Sequence, residues 1–203
     1  MKCAVWGSPI AHSLSPVLHR AAYAALGLED WTYEAREVDE AGFDAALAGL
    51  DGQWRGLSLT MPLKEVALRA ASHVTATAAD TGAVNTLVRE PEGWTGYNTD
   101  VYGIAALLEA GGHDTTDAMI IGSGATARAA VAALASSGTR RITFMVRSGA
   151  RPETVDQARR AGITVSEVPM GEWSLSDVVI STVPPAAVIG LGAFPRSDRD
   201  ESQ

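Results

Sequence analysis

Ala118-Met119-Ile120-Ile121-Gly122-Ser123-Gly124-Ala125-Thr126-Ala127 is the stretch that decides the fold of this chain. A short apolar run reads as a buried strand, ends in a turn of the form GxGxxA, and passes at once into segment 125–136, which reads as a helix. Gly122 permits the tight turn, Gly124 lets backbone approach a pyrophosphate, and small Ala127 lets helix and strand pack closely, so that the helix N-terminus faces phosphate oxygens. The competing reading is a tight strand-to-helix turn with no ligand, and the strand before and helix after weigh against it. The residue after the next strand, 141–146, selects the nucleotide: a carboxylate there holds the ribose 2′-hydroxyl of NAD, a cation the 2′-phosphate of NADP. That residue is Arg147. Ser148 adds a hydroxyl and Arg151 a second guanidinium, whose paired donors suit a phosphate, so NADP(H) is the expected cofactor. Arg140, Arg141, Arg159 and Arg160 nearby leave a plain Arg-rich surface as the alternative.

Outward from this turn the pattern is strand and helix in alternation, which means a parallel sheet covered by helices. A helix over 154–161 and strands over 163–168 and 178–182 follow it. In the first half, 3–6 reads as a strand, and Ser15-Pro16 opens a helix with Val17, Leu18, Ala21, Ala22, Ala25 and Leu26 at helical spacing. A strand over 31–38, a helix marked by Phe43, Ala46, Leu47 and Leu50, and a strand in which Leu57 alternates with Leu59 come next. Segments 83–89 and 94–98 flank Glu90-Pro91-Glu92-Gly93, whose turn chemistry predicts an antiparallel hairpin. A helix over 101–110 ends in Gly111-Gly112, and the pattern restarts. The expected fold is α/β: an N-terminal substrate domain over 1–100 with a mostly parallel sheet, a linking helix over 101–116, a Rossmann-like domain over 117–190, and a polar tail over 191–203. With only four strands the second domain reads as incomplete, which leaves 178–182 at a sheet edge where unpaired backbone invites aggregation or a partner chain, a homodimer being one form of it.

Composition narrows the function. Among 203 residues, 16 basic against 24 acidic side chains give a net charge of −8, which argues against nucleic acid or an anionic membrane as partner. The lone Cys3 forms no internal disulfide and no Cys/His spacing suits zinc, so no metal is expected and a reducing, cytoplasmic setting is. No run approaches the roughly 18 apolar residues of a membrane span. Lys2 and Lys64 are the only lysines beside 14 arginines. Lys64 therefore stands out as a candidate proton carrier, because an amine can lose its proton where a guanidinium does not, with a chance surface lysine as the even alternative. Ser13 and Ser15, after the first strand, sit where ligands bind in parallel α/β sheets, although Ser15 ahead of Pro16 also reads as a helix cap. Asp100 in Asn98-Thr99-Asp100 has the same double reading. His12, His19, His73 and His113 form no triad and read as solvated or packing residues.

Gly7-Ser8-Pro9-Ile10 through Ser13-Leu14-Ser15-Pro16, Leu59-Thr60-Met61-Pro62-Leu63-Lys64, Gly82-Ala83-Val84-Asn85-Thr86-Leu87 and Gly96-Tyr97-Asn98-Thr99-Asp100 together resemble the shikimate dehydrogenase family in order and spacing. The resemblance runs from residue 3 to about 185, with Gly122 to Ala127, Val146-Arg147-Ser148 and Ser181-Thr182-Val183-Pro184 where that family keeps its NADP contacts. It implies reversible, NADPH-linked reduction of 3-dehydroshikimate to shikimate in chorismate biosynthesis. By position, Ser13 and Ser15 would hold the substrate carboxylate, Thr60, Asn85 and Asp100 its hydroxyls, and Lys64 with Asp100 would form the catalytic pair. Ser58 and Val146 depart from the family pattern, which has asparagine at both places. Family members are also longer, so the resemblance implies a chain truncated at its C-terminus. The alternatives are a quinate dehydrogenase using NAD, against which Arg147 speaks, and a remnant that binds ligand without turnover.

Overall fold

The computed structural model describes residues 1–192, so most of the polar tail expected over 191–203 lies outside the described residues. The chain divides into two compact units, Met1–Thr99 and a second that begins at Asp100. Each has a sheet and core of its own.

In the first unit, β1 (Lys2–Gly7), β2 (Thr32–Glu37), β3 (Trp54–Leu59), β4 (His73–Val74), β5 (Thr86–Glu90) and β6 (Gly93–Tyr97) form one sheet in the order β2-β1-β3-β5-β6-β4. β1 lies parallel between β2 and β3, whereas β5 runs antiparallel to both of its neighbours, as the hairpin reading required. Alternation sorts β1 onto two faces: Ala4 and Trp6 join Phe43, Leu57, Leu59, Leu63 and Leu87 in the main core, while Cys3 and Val5 pack with Ile10 and Tyr33 on the other side. Phe43 opens α2 (Phe43–Ala48) and meets Trp6 edge to face, with ring centroids 6.0 Å apart. Fully burying an aromatic or leucine side chain contributes about 1.5–3 kcal/mol, so these few residues fix where the strand ends lie.

The helix α1 (Ser15–Ala25) forms where its spacing predicts, but none of its residues is buried, and Val17 and Leu18 stay 65% and 67% exposed. Its anchorage is aromatic instead: Tyr23 packs on Trp31 and Tyr33. The cap also differs from expectation. Ser15 is the first helical residue, Leu14 occupies the cap without a side-chain hydrogen bond, and it is the Ser13 Oγ that accepts the Ser15 N–H, at 3.3 Å. Three short elements carry too little pattern to be read from sequence: α3 (Lys64–Ala70), β4, and α4 (Ala76–Thr81), which Thr75 caps and Gly82 ends at φ +60°.

The second unit opens with α5 (Asp100–Gly111), whose Ile104 and Leu108 pack against that unit's core. β7 (Asp117–Ile121), α6 (Ala125–Ser136), β8 (Arg141–Val146), α7 (Pro152–Arg160), β9 (Thr164–Pro169) and β10 (Val178–Ser181) then alternate, and the four strands pair in parallel in the order β10-β7-β8-β9. The order reverses beside β7, so the glycine turn that follows β7 stands at the switch point, where such sheets bind ligands. β10 has no strand on its outer side among the described residues. Among the described residues no helix is long and apolar enough to cross a membrane.

Candidate active site

Main-chain hydrogen bonds knit the ends of β3, β5 and β6 into one place. The Leu59 N–H donates to the Asn85 carbonyl at 2.7 Å, the Asn85 N–H to Tyr97 at 2.9 Å, and the Val84 N–H to the carbonyl of Lys64 at 2.8 Å. The Thr60 N–H reaches across to Trp6 on β1 at 2.9 Å. Gly7 is required there, since a Cβ on it would collide with the Thr60 methyl and stand 2.9 Å from the Met61 carbonyl oxygen. Thr60 and Lys64 are thus tied beside Asn85 through neighbouring backbone, Lys64 by its bond from Val84 and Thr60 by its neighbour Leu59. Lys64 opens α3 half-buried.

Asn85 also braces the chain through its side chain. Its Oδ1 lies 2.9 Å from the Thr99 amide and 3.2 Å from the Thr99 hydroxyl, and its Nδ2 donates to that hydroxyl at 3.0 Å. Thr86 donates to the same Oδ1 at 2.9 Å. The side chain ties β5 to the residue just before Asp100. Asn98 is fully enclosed and donates to Thr81 at 2.9 Å, a structural role. Asp100 is the first residue of α5 and belongs to the second unit, where it places a carboxylate in a helix first turn.

Ser13 and Ser15 follow β1, and Tyr33, which sequence reasoning did not single out, joins them. Its hydroxyl donates to the Ser58 Oγ at 2.7 Å and also bonds Ser15, while burial pushes the phenol above its ordinary pKa. His19 stacks on the Tyr33 ring at 4.0 Å, a packing role as expected. The signal that could have found Tyr33 is a lone aromatic hydroxyl one strand away from two serines, which only the strand order reveals.

In the second unit Gly122 adopts φ +98°, where a Cβ would lie 2.8 Å from both the Thr182 Oγ1 and the Val183 Cγ1. Thr182 is held against the turn, its N–H and hydroxyl both donating to Ile121, at 3.0 and 2.8 Å. Gly124 occupies the cap position of α6 with no side chain to close it, Ala125 and Thr126 form the first turn, and Ala127 is completely buried. Ser123 links turn and α7: its Oγ accepts the Arg151 amide at 3.1 Å and its carbonyl accepts the Thr154 hydroxyl at 2.7 Å. Arg147 and Ser148 are exposed just beyond β8, and the loop they start is braced by Glu167, which accepts the Ala150 amide at 2.8 Å. Beneath, the enclosed Arg128 guanidinium lies 3.7 Å from Glu153, which is 3.9 Å from Arg151. An uncapped helix start, a glycine corner with no room for a Cβ, and basic residues at the neighbouring strand end fit a nucleotide carrying a 2′-phosphate.

A family model described as the shikimate dehydrogenase substrate binding domain matches residues 5–87. The shikimate dehydrogenase (NADP(+)) of Methanothermobacter thermautotrophicus is 35% identical over 202 residues, covering 96% of this chain and 69% of that protein. Its counterpart from Synechocystis is 42% identical over 147 residues, 71% of this chain and 50% of that one. Among solved structures, Mycobacterium tuberculosis shikimate dehydrogenase superposes with a TM-score of 0.80 at 44% identity, over 90% of this chain and 70% of its own. A Thermus thermophilus shikimate 5-dehydrogenase, solved in complex with NADP(H) and shikimate, superposes at 0.77 with 31% identity over 90% of this chain and 68% of its own. Likeness of this extent, through both the substrate half and the nucleotide half, establishes that the chain belongs to the shikimate dehydrogenase family.

Proposed function

We propose that the chain catalyses the reversible reduction of 3-dehydroshikimate to shikimate with NADP(H). The observation that carries the reading is the tying of the Leu59-Thr60 strand end and of Lys64 to the Val84-Asn85 segment by main-chain hydrogen bonds, in a chain whose other half presents the Gly122–Ala127 turn with Arg147 beyond the next strand. Ser13 and Ser15 hold the substrate carboxylate, and Thr60, Asn85 and Asp100 its ring hydroxyls. Gly122 to Ala127, with Thr182 and Val183, hold the pyrophosphate side of the nucleotide, and Arg147, Ser148 and Arg151 hold its 2′-phosphate. NADPH, when bound, supplies the hydride to the carbonyl carbon, and NADP+ takes it back in the reverse direction. Lys64 gives its Nζ proton to the carbonyl oxygen as negative charge develops there, and the Asp100 carboxylate orients the amine. Because Thr99 already holds the Asn85 amide, that contact needs no rearrangement when substrate arrives.

The setting that suits this chemistry is the reducing cytoplasm, consistent with a buried, free Cys3. Pairing through the outer edge of β10 gives a homodimer, visible as a concentration-dependent mass in light scattering; a constant monomer mass removes it. The activity is tested by the loss of NADPH absorbance with 3-dehydroshikimate, beside Lys64→Ala. The expected result is turnover that falls about 10²–10⁴-fold in the variant while shikimate binding persists. A folded protein with no turnover, or a variant as active as the parent, overturns the assignment.

A further inference from the structure

Tyr33 and Ser58 sit on different strands with β1 between them. In the parallel registers Tyr33 lies beside Cys3, and Val5 lies beside Ser58. Cys3 and Val5 are two apart, so all four residues share the face of the sheet that carries the smaller core. The Tyr33 ring crosses β1 on that face and is only 3% exposed, with its hydroxyl 2.7 Å from the Ser58 Oγ. Ser58 and Thr60 are also two apart, so the serine hydroxyl lies on the Thr60 side of the β3 end, half-buried. A serine hydroxyl has one proton and two lone pairs. With the Tyr33 proton given to its oxygen, the Ser58 proton is the one left to give, and the polarised chain strengthens that donor.

The geometry points to Tyr33 as a positioning residue for substrate: it locks the Ser58 hydroxyl as a hydrogen-bond donor toward a substrate oxygen beside Thr60. The assignment rests on the proposed function and deepens it. The tyrosine touches no reacting atom. Its contribution lies in ground-state binding, and it acts on substrate affinity chiefly through Ser58, with its bond to Ser15 adding to the effect, leaving the hydride and proton steps alone.

The test is steady-state kinetics in the shikimate-oxidising direction for the parent, Tyr33→Phe, Ser58→Ala and the double variant. Tyr33→Phe deletes one oxygen and keeps the ring, and near-ultraviolet circular dichroism verifies that the packing persists. The KM for shikimate is expected to rise about threefold to tenfold in each single variant, with kcat and the KM for NADP+ held within about twofold. The double variant is expected to fall well short of the product of the two single effects, because the two groups act in large part as one unit. The inference is overturned by an unchanged KM for shikimate in Tyr33→Phe, by effects that multiply in the double variant, or by a joint change in kcat and both KM values, which marks a purely structural role. If the parent binds shikimate without turnover, the functional reading fails and calorimetric titration of the same variants decides the role of Tyr33. If the parent does not bind shikimate, both fall.

Discussion

Replacing Gly122 with alanine is expected to destabilise the protein by about 2–6 kcal/mol. Two terms add. An L residue held at φ +98° carries backbone strain of about 1–3 kcal/mol. The new methyl would also stand 2.8 Å from the Thr182 Oγ1 and 2.8 Å from the Val183 Cγ1, and overpacking of this kind costs about 1–3 kcal/mol. Thr182 cannot yield cheaply, because its N–H and hydroxyl are both committed to Ile121. Against a total stability of about 5–15 kcal/mol, the loss is a large fraction. Urea unfolding followed by far-ultraviolet circular dichroism should place the midpoint roughly 1–2 M lower, at slopes of about 1–3 kcal/mol per molar. Gly124→Ala is the internal control: Gly124 has φ −84°, and a Cβ there meets nothing within 4 Å. It should unfold within about 0.5 kcal/mol of the parent, yet bind NADPH more weakly, because the proposed function places the pyrophosphate against its backbone. Equal unfolding midpoints for the two variants would refute this account of the turn.

Arg147→Ala should weaken NADPH binding about tenfold to a hundredfold while leaving NADH within about twofold, as measured by fluorescence titration; equal losses would remove Arg147 from the 2′-phosphate site. Alkaline stability depends on Tyr23 and Tyr33, whose pKa values burial raises above the ordinary 10.0. Below pH 10 the folded and unfolded phenols are both neutral and nothing is lost. Above it the unfolded chain releases protons that the folded chain retains, so stability falls as pH rises. Thermal melts from pH 8 to about 11.5 should show that decline, and Tyr33→Phe should lessen it while Tyr23 keeps the rest; a variant as alkali-sensitive as the parent would show that Tyr33 is not a source.

Much of this was legible in the residues. The segment from Ala118 to Ser136 forms strand, turn and helix where its pattern places them, because a buried parallel strand is uniformly apolar and its helix follows within a few residues. The hairpin was legible from its turn chemistry, whereas the packing of Thr182 and Val183 against the glycine corner shows only in the fold. α3, β4 and α4 were not legible, since elements of 7, 2 and 6 residues are too short to show a period. The exposure of α1 escaped as well: the apolar spacing of Val17 and Leu18 is helical, but spacing does not say what covers it. Tyr33 escaped for a deeper reason. Its partnership with Ser58 spans 25 residues and exists only once β1 has entered between β2 and β3.

Each unit carries its own closed set of packed side chains, Trp6 and Phe43 at the heart of one, Ile120 and Phe144 in the other. Substitutions distant from one another and lacking shared neighbours usually combine additively. Under the proposed function, substitutions at Arg147 that retune nucleotide choice are borne by the core of the second unit, and substitutions at Thr60 or Asn85 that alter substrate choice by the core of the first. Selection, natural or in the laboratory, can explore the two independently, so that a shift of electron carrier and a shift of substrate need not compete for the same tolerance to mutation.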